Sequence, residues 1–299
     1  MMMKNHFQKK IFPATIFLTA AMLCILKAAP VGTVEIERAH FGNKSGHWNN
    51  PKDWRSGKIP QGVVRVYIPH GITLTVSGQA ANEDVINLGV GGDKKTTLII
   101  TRGAKAKFSS LNVPGQEQKG NNGVLYLRDG ELSIGNDAEK RGTLFLGQGL
   151  THSGTGYAEF SGGKFVGGMR IGNSTPGTQQ GTLVIKGSKV SVTTRPDGAN
   201  FLDVGATGTI EFELDEKGVS TLQYMDAMVR LNPGATVHVN GAAYKGGPKT
   251  ITLIATKDLR AEGAKYEAVN FSDDYEAQVK PEKKRGQPDS IVLKITRVR

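Results

Sequence analysis

The sequence predicts an all-β protein whose fold is a right-handed parallel β-helix, a solenoid of stacked coils. The first observation is an apolar-alternating segment that starts again at Leu98, Leu125, Ala158, Leu183 and Ile210, at spacings of 27, 33, 25 and 27 residues. The second is that four of these five segments have a glycine two positions before their first residue. The third is that no segment has a convincing helical periodicity. A recurrence of this length is typical of stacked-repeat architectures.

The first segment in the chain, residues 1–28, is predicted to be a secretory signal peptide. Lys4, Lys9 and Lys10 precede an apolar run, Ile11–Leu26, and small residues follow it. This run of 16 residues is shorter than the roughly 20 that a membrane span needs. We therefore expect export to the periplasm, the cell surface or the extracellular space, with no transmembrane span after the signal is cleaved.

The composition of the mature chain limits the classes of partner that we expect it to bind. Cys24 is the only cysteine and lies in the signal peptide, so the mature chain has neither disulfides nor thiolate metal ligands, which indicates a bacterial origin. The formal net charge is +11, and the signal peptide holds four lysines and no acid, which leaves about +7. This excess suits anionic partners such as acidic polysaccharide, although dispersed basic residues also serve solubility. Nucleic-acid binding is not expected, because it needs a denser basic stripe with interleaved aromatic residues.

Residues 33–78 are interpreted as an N-terminal Trp-containing cap followed by a strand pair. The stretch Phe41–Pro60 is dense in Gly, Asn, Pro and Trp, which is typical of an irregular lid. Two alternating segments follow, Val64–Ile68 and Ile72–Val76, with a Pro-His-Gly turn between them. We expect this section to cover one open end of the solenoid.

Residues 79–240 are predicted to form the β-helix repeat domain, with about three short strands in each coil. Each repeated segment is followed by a second strand, such as Glu131–Ile134, and by a third element that ends in an apolar residue and a glycine, such as Leu146-Gly147. A β-sandwich also has short strands, but near-identical strand starts at a coil-like period favour the β-helix. Alternation directs one set of side chains into the core and the other outward. The expected inward residues are Leu98, Ile100, Leu125, Leu127, Leu183, Ile185, Ile210 and Phe212, and the expected outward ones are Ile99, Tyr126, Glu159, Val184 and Glu211.

Residues 241–299 are interpreted as a C-terminal β cap. A Gly-Gly-Pro sequence at 246–248 breaks the repeat pattern, and paired strands are predicted after it. A solenoid needs covered ends, because exposed strand edges promote aggregation. The predicted strands of this section are Thr250–Ile254, Tyr266–Phe271, Tyr275–Val279 and Ile291–Ile295.

The order of these motifs carries a family resemblance. A leader precedes a Trp-Asn-x-Pro-x-Asp-Trp segment at 48–54, Gly-Thr repeats, a Phe-Glu-Leu-Asp sequence at 212–215 and a final Val-Leu-x-Ile strand. Over nearly its whole mature length the chain resembles secreted autotransporter-passenger-like or PEP-CTERM-type β-helix proteins of planctomycete-like bacteria. The short C-terminal sorting helix common in that group is absent before Arg299. The resemblance implies an exported protein associated with the surface or the extracellular matrix.

The first candidate site is aromatic and lies in the N-terminal section. Trp48, Trp54 and His47 form a possible sugar-stacking platform, because aromatic faces pack on the apolar faces of pyranose rings. The alternative is that both indoles are buried and hold the cap together, which is a common use of large aromatic side chains in small lids.

The second candidate site is charged. Asp129, Glu131 and Asp137 lie close in sequence, with Lys140 and Arg141 beside them. On one outer face of a β-helix, such acids can hold Ca²⁺ against an acidic glycan, with Lys or Arg as the base of a polysaccharide lyase. A pair of carboxylates can also hydrolyse a glycosidic bond. The alternative is a solvated loop of mixed charge.

No other motif points to catalysis. The six histidines show no metal-ligand spacing, and no Gly-x-Ser-x-Gly sequence is present. We therefore predict no cofactor, with Ca²⁺ as the one conceivable ion. The predicted function is that of an exported, non-catalytic structural, adhesive or glycan-contacting envelope protein, and the alternative is a polysaccharide lyase or glycoside hydrolase acting on an acidic glycan.

Overall fold

The chain winds into a β-solenoid with three sides, named here side 1, side 2 and side 3. The structure, a computed structural model, describes residues 37–62, 64–81, 85–90, 94–114, 121–135, 142–148, 154–175, 177, 179–196, 200–283 and 285–298. The predicted signal peptide lies outside these residues. Within them, the helical content is a single 3-10 turn at Pro51–Asp53, and almost all other regular structure is β-strand. The prediction of an all-β, parallel solenoid is confirmed.

Side 1 is a nine-stranded parallel sheet. Its strands are β2 (Gly46–His47), β4 (Thr73–Val76), β7 (Thr96–Ile100), β10 (Asn121–Leu127), β13 (Gly154–Phe160), β16 (Gln179–Lys186), β19 (Gly208–Glu213), β21 (Thr236–Asn240) and β23 (Lys265–Val269).

Sides 2 and 3 belong to one larger sheet, because β20 (Leu222–Leu231) and β22 (Lys249–Arg260) each run along both of them. The other strands of side 2 are β5 (Gln79–Ala81), β8 (Lys105–Phe108), β11 (Glu131–Ile134), β14 (Gly163–Val166) and β17 (Val190–Thr193). The other strands of side 3 are β1 (Glu37–His40), β3 (Val64–Pro69), β6 (Val85–Val90), β9 (Ser110–Val113), β12 (Thr143–Leu146), β15 (Gly168–Ile171) and β18 (Phe201–Val204).

The predicted repeat period is the length of a coil. The five segment starts are register partners along side 1, in the order Leu98, Leu125, Ala158, Leu183 and Ile210. The one long coil, of 33 residues, takes its additional length between β11 and β12. That connection has eight residues, whereas β14 and β15 are joined by one.

The solenoid begins before residue 79, the predicted start of the repeats. β1 pairs with β3 and β2 pairs with β4, in both cases in parallel. β3 and β4 therefore belong to different sides and do not pair with each other. Gly71 has a φ of 77° and makes the corner by which the chain passes from side 3 to side 1.

The inward side chains form one continuous core. All eight residues predicted to point inward along side 1 have no exposed surface. Trp48 and Trp54 extend this core at its N-terminal end, with exposed fractions of 1% and 3%. Their ring centroids are 5.0 Å apart, and the Trp54 indole nitrogen donates a hydrogen bond of 2.8 Å to the Trp48 carbonyl. The Trp48 ring also lies near the ring of Phe108, the last residue of β8, with ring centroids 5.5 Å apart.

A hairpin ends the solenoid at its C-terminal side. β24 (Tyr275–Glu282) and β25 (Asp289–Arg297) are antiparallel to each other, and β25 is antiparallel to β22 from Lys249 to Thr256. Leu293 and Val279 from this hairpin belong to the core. β22 and β23, which lie within the predicted cap, still belong to the parallel ladder. Within the described part of residues 241–299, the hairpin of β24 and β25 is therefore the part that covers the C-terminal end of the solenoid.

Asp215 fastens the corner after β19 to the preceding coil. Its carboxylate accepts hydrogen bonds from the Ser188 backbone N–H (2.8 Å) and hydroxyl (2.6 Å) and from the backbone N–H groups of Lys217 (2.8 Å) and Gly218 (2.9 Å). Partial burial by itself raises the pKa of Asp215, but these hydrogen bonds outweigh it and the net pKa is lowered.

We expect Asp215→Asn to lower the free energy of unfolding at pH 7 by about 1–2 kcal/mol, because the amide cannot replace the carboxylate as acceptor of all four bonds. Since the folded pKa lies below the unfolded one, this stabilisation is present above about pH 4 and is lost as the pH falls through the folded pKa. Urea denaturation at pH 7 and at decreasing pH measures it. The exposed Asp273→Asn is the control, and an equal loss in both variants at pH 7 would contradict the assignment.

Candidate functional site

The outer face of side 1 carries a long column of aligned side chains. The parallel register places one residue from each strand in this column, which we call the central column. Strand spacings of about 4.8 Å make it roughly 38 Å long. Its members are His47, Thr75, Ile99, Tyr126, Glu159, Val184, Glu211, His238 and Glu267.

Two tyrosines from successive coils lie beside each other at the middle of this face. The ring centroids of Tyr126 and Tyr157 are 6.3 Å apart, with an angle of 66° between the rings. The guanidinium carbon of Arg128 lies 4.5 Å from the Tyr126 ring centroid. The Tyr157 hydroxyl donates a hydrogen bond of 3.2 Å to the Glu159 carboxylate. We call Tyr126 and Tyr157 the tyrosine pair.

Tyr157 acts as a hydrogen-bond donor and not as a base. Burial raises the pKa of Tyr157, and the negative charge of Glu159 and the hydrogen bond to it raise that pKa further. The phenol therefore stays protonated well above neutral pH. Its ring and its hydroxyl offer an apolar surface and a polar group at one position.

The C-terminal half of the face is charged. Lys186 Nζ lies 3.0 Å from a Glu213 carboxylate oxygen, and this hydrogen bond and charge raise the pKa of Lys186. His238 Nδ1 lies 3.5 Å from a Glu211 carboxylate oxygen. Val184 is covered by its surroundings, with only 2% of its surface exposed. This half therefore combines the Lys186–Glu213 ion pair and the His238–Glu211 contact with a covered apolar side chain, Val184.

A polar cleft lies at the N-terminal end of the same face. Its volume is about 370 Å³. Two hydrogen bonds hold the lining of this cleft in place. The Asp53 carboxylate accepts one of 2.8 Å from the backbone N–H of His47, and the Ser45 hydroxyl accepts one of 2.9 Å from the backbone N–H of Thr73. The lining residues are Ser45, Gly46, His47, Asn50, Asp53, Thr73 and Thr75. The hydroxyls, the amide and the imidazole of this lining can donate and accept hydrogen bonds with a polyhydroxylated ligand.

A second cavity, of about 640 Å³, lies on side 3 near the C-terminal hairpin. Arg230 lines it and is bound in a fork to Asp203, with nitrogen–oxygen distances of 3.0 and 2.6 Å. Arg260 lies 3.1 Å from Asp258 and Lys283 lies 3.7 Å from Asp289. Each of its three cations thus has a carboxylate partner within the protein, so this cavity is the weaker candidate.

The structure places the three residues of the predicted aromatic site in two different environments. Trp48 and Trp54 are buried, so their rings have no face for a sugar and the cap-core alternative describes them. His47 precedes Trp48 in an extended segment, points to the opposite face and is exposed on side 1. Of the three residues, only His47 lies on the candidate surface.

The two described residues of the predicted charged site, Asp129 and Glu131, do not lie on this surface. Glu131 is on side 2, in register with Lys105 and Lys164, and its carboxylate is 3.9 Å from the Lys164 amine. Asp129 lies at the corner between sides 1 and 2 and has a φ of 57°. Asp137, Lys140 and Arg141 lie outside the described residues. In the described part of the chain, no group of three or more His, Cys, Asp or Glu side chains is placed to hold a metal ion.

Sequence reasoning placed Tyr126, Glu159 and Glu211 on the outside but missed Tyr157 as their neighbour. The signal was available, since Tyr157 precedes Glu159 by two residues and alternation directs both outward. Tyr157 lies beside Tyr126 because the 33-residue coil places β13 next to β10 in the sheet.

No protein-family model and no curated protein matches the chain. In the described ranges, no helix is long and apolar enough to cross a membrane.

Proposed function

We propose that this protein is an exported, non-catalytic, glycan-contacting protein of the bacterial cell envelope or extracellular matrix, which binds an extended polysaccharide along side 1. The observation that carries the proposal is the tyrosine pair. Two aromatic rings from adjacent coils lie on an open face, and aromatic faces pack on the apolar faces of pyranose rings.

The length and the rigidity of the face favour a polymer over a small ligand. The central column runs along the solenoid from His47 to Glu267 and has the polar cleft at one end. Because parallel strands hold each coil at a set distance, successive contacts repeat at about 4.8 Å without any rearrangement of the protein. A chain molecule gains from every added contact on such a surface.

The surface chemistry favours a sugar over a protein partner. The large apolar side chains that are exposed in the described part of the chain are Met225 and Val298, and neither lies on side 1. Protein-docking surfaces usually have a contiguous apolar patch at their centre. Side 1 instead combines half-buried aromatic rings, which can pack on sugar rings, with hydroxyls and charged groups, which can hydrogen-bond to sugar hydroxyls.

Tyr126→Ala and Tyr157→Ala are each expected to weaken polysaccharide binding about fivefold, and the double variant by about 25-fold, because each ring supplies about 1 kcal/mol. Isothermal titration with a panel of neutral and acidic polysaccharides measures these losses. Phe145→Ala is the matched control, since Phe145 is a half-buried aromatic residue that points outward on side 3.

Two results would overturn the proposal. The first is unchanged binding in the double tyrosine variant. The second is the release of unsaturated or shortened products from the panel, with or without Ca²⁺, which would replace a binding role by the lyase or hydrolase alternative.

A further inference from the structure

Arg128 is a cation beside the tyrosine pair that has no carboxylate partner among the described residues. It directly follows β10, and its backbone N–H donates a hydrogen bond of 2.8 Å to the Ile100 carbonyl, which sets its position. Its side chain is exposed and stacks over Tyr126 at 4.5 Å. Among the described residues no ion pair to Arg128 is present, whereas Lys186 on the same face is paired with Glu213.

The neighbours of Arg128 in the ladder are neutral. Thr101 and Ser161 follow the register partners of Leu127 on the two adjacent coils. The Thr101 hydroxyl donates its proton to the Val76 carbonyl at 3.0 Å. The nearest carboxylate along β13, that of Glu159, accepts the Tyr157 hydroxyl. The guanidinium is thus held over a ring while its outer N–H groups remain available to a ligand.

We infer that Arg128 binds a carboxylate of the glycan, and that the ligand of side 1 is a polysaccharide containing uronic acid. This rests on the proposed function, since the sugar ring is the group that the tyrosine pair holds. A guanidinium whose face is covered by an aromatic ring still presents its N–H groups at the edge, in the fork geometry that matches a carboxylate. A uronic acid carries its carboxylate at the edge of the pyranose ring, so a sugar that packs on the Tyr157 ring presents its carboxylate toward the arginine edge.

The inference makes Arg128 a specificity residue and not a general attractor of charge. A sulfate ester shares the negative charge and also binds a guanidinium bidentately, but its anionic oxygens lie one bond further from the sugar ring than those of a uronic acid carboxylate. Arg128→Lys keeps the charge and loses the fork, so it should retain only part of the preference for a uronic acid.

The test compares an oligouronide with the same oligosaccharide after its carboxylates are reduced to alcohols, using the full mature chain and isothermal titration. The unaltered protein is expected to bind the oligouronide about tenfold or more tightly than the reduced form. Arg128→Gln should abolish this difference by weakening binding of the oligouronide to the level of the reduced form. Arg285→Gln, an exposed arginine between β24 and β25, is the control and should keep the full difference.

The outcomes separate this inference from the proposed function. Binding of both oligosaccharides that depends on the tyrosine pair, without a preference for the uronide, overturns the inference and leaves the function standing. A preference that survives Arg128→Gln also overturns it, as does an equal or stronger preference for a sulfated neutral oligosaccharide. If neither oligosaccharide binds, the function and the inference fail together. Thermal denaturation of each variant establishes that a lost preference does not come from unfolding.

Discussion

Gly181→Ala is expected to lower the free energy of unfolding by about 3 kcal/mol, at the upper end of the cost of overpacking. Gly181 belongs to a ladder of four glycines that are register partners on side 1, the others being Gly123, Gly156 and Gly208. A methyl group at Gly181 would overlap the backbone nitrogen of Gly172 and the carbonyl oxygen of Leu146. Since all the overlapped atoms are backbone, no side chain can rotate away to relieve the clash.

The physical cause is the close approach of successive coils at the corner between side 3 and side 1. Equivalent overlaps with backbone atoms arise at Gly156 and Gly208. In a solenoid each coil is stabilised mainly by its neighbours, so separating two coils weakens both of their interfaces.

Chemical denaturation of Gly181→Ala and of Gly247→Ala measures this effect. Gly247 is the matched control, because a methyl group there meets no atom within 4 Å. We expect Gly247→Ala to change the free energy of unfolding by less than about 0.5 kcal/mol. Equal stability of the two variants would show that the corner can open without cost.

Phe165→Ala is expected to lower the free energy of unfolding by about 3–5 kcal/mol, the usual cost of removing a buried phenylalanine. Phe165 on β14 stacks on Phe160 of β13, with ring centroids 5.3 Å apart and an angle of 26°. Neither ring has exposed surface. The cavity left behind would lie between two rigid sides of the same coil, which limits how far the surroundings can collapse into it.

Phe145→Ala is the control for this prediction as well. Phe145 points outward on β12 and is only partly buried, so its removal should cost less than about 1 kcal/mol. Guanidinium denaturation followed by circular dichroism measures both variants. If Phe165→Ala were no more destabilised than Phe145→Ala, the core would have to be able to repack around the missing ring.

The coil could be predicted because its determinants are local. The alternation in a segment such as Leu183–Ile185 indicates which side chains point inward, and glycines such as Gly181 indicate where successive coils approach each other closely. These features recur along the chain, so the spacing between them measures the coil without any knowledge of three-dimensional contacts.

The ends of the solenoid and the candidate site depended on information that is not local. Trp48 and Trp54 fit both a sugar platform and a buried cap on sequence grounds, and only packing against Phe41 and Phe108 distinguishes the two. The Pro-His-Gly turn at 69–71 is compatible with a hairpin or with a corner. Pairing of β3 with β6, instead of β4, selects the corner.

The sequence by itself determined the repeat, the inward ladder and the alternation that leaves Tyr126, Glu159 and Glu211 outside. Only the tertiary structure decided which outward residues share one face. His47 and Tyr126 are 79 residues apart in the chain, yet they belong to one column on side 1. The physical reason is that register between coils depends on the summed lengths of strands and corners, and corner length leaves no periodic signal in the sequence.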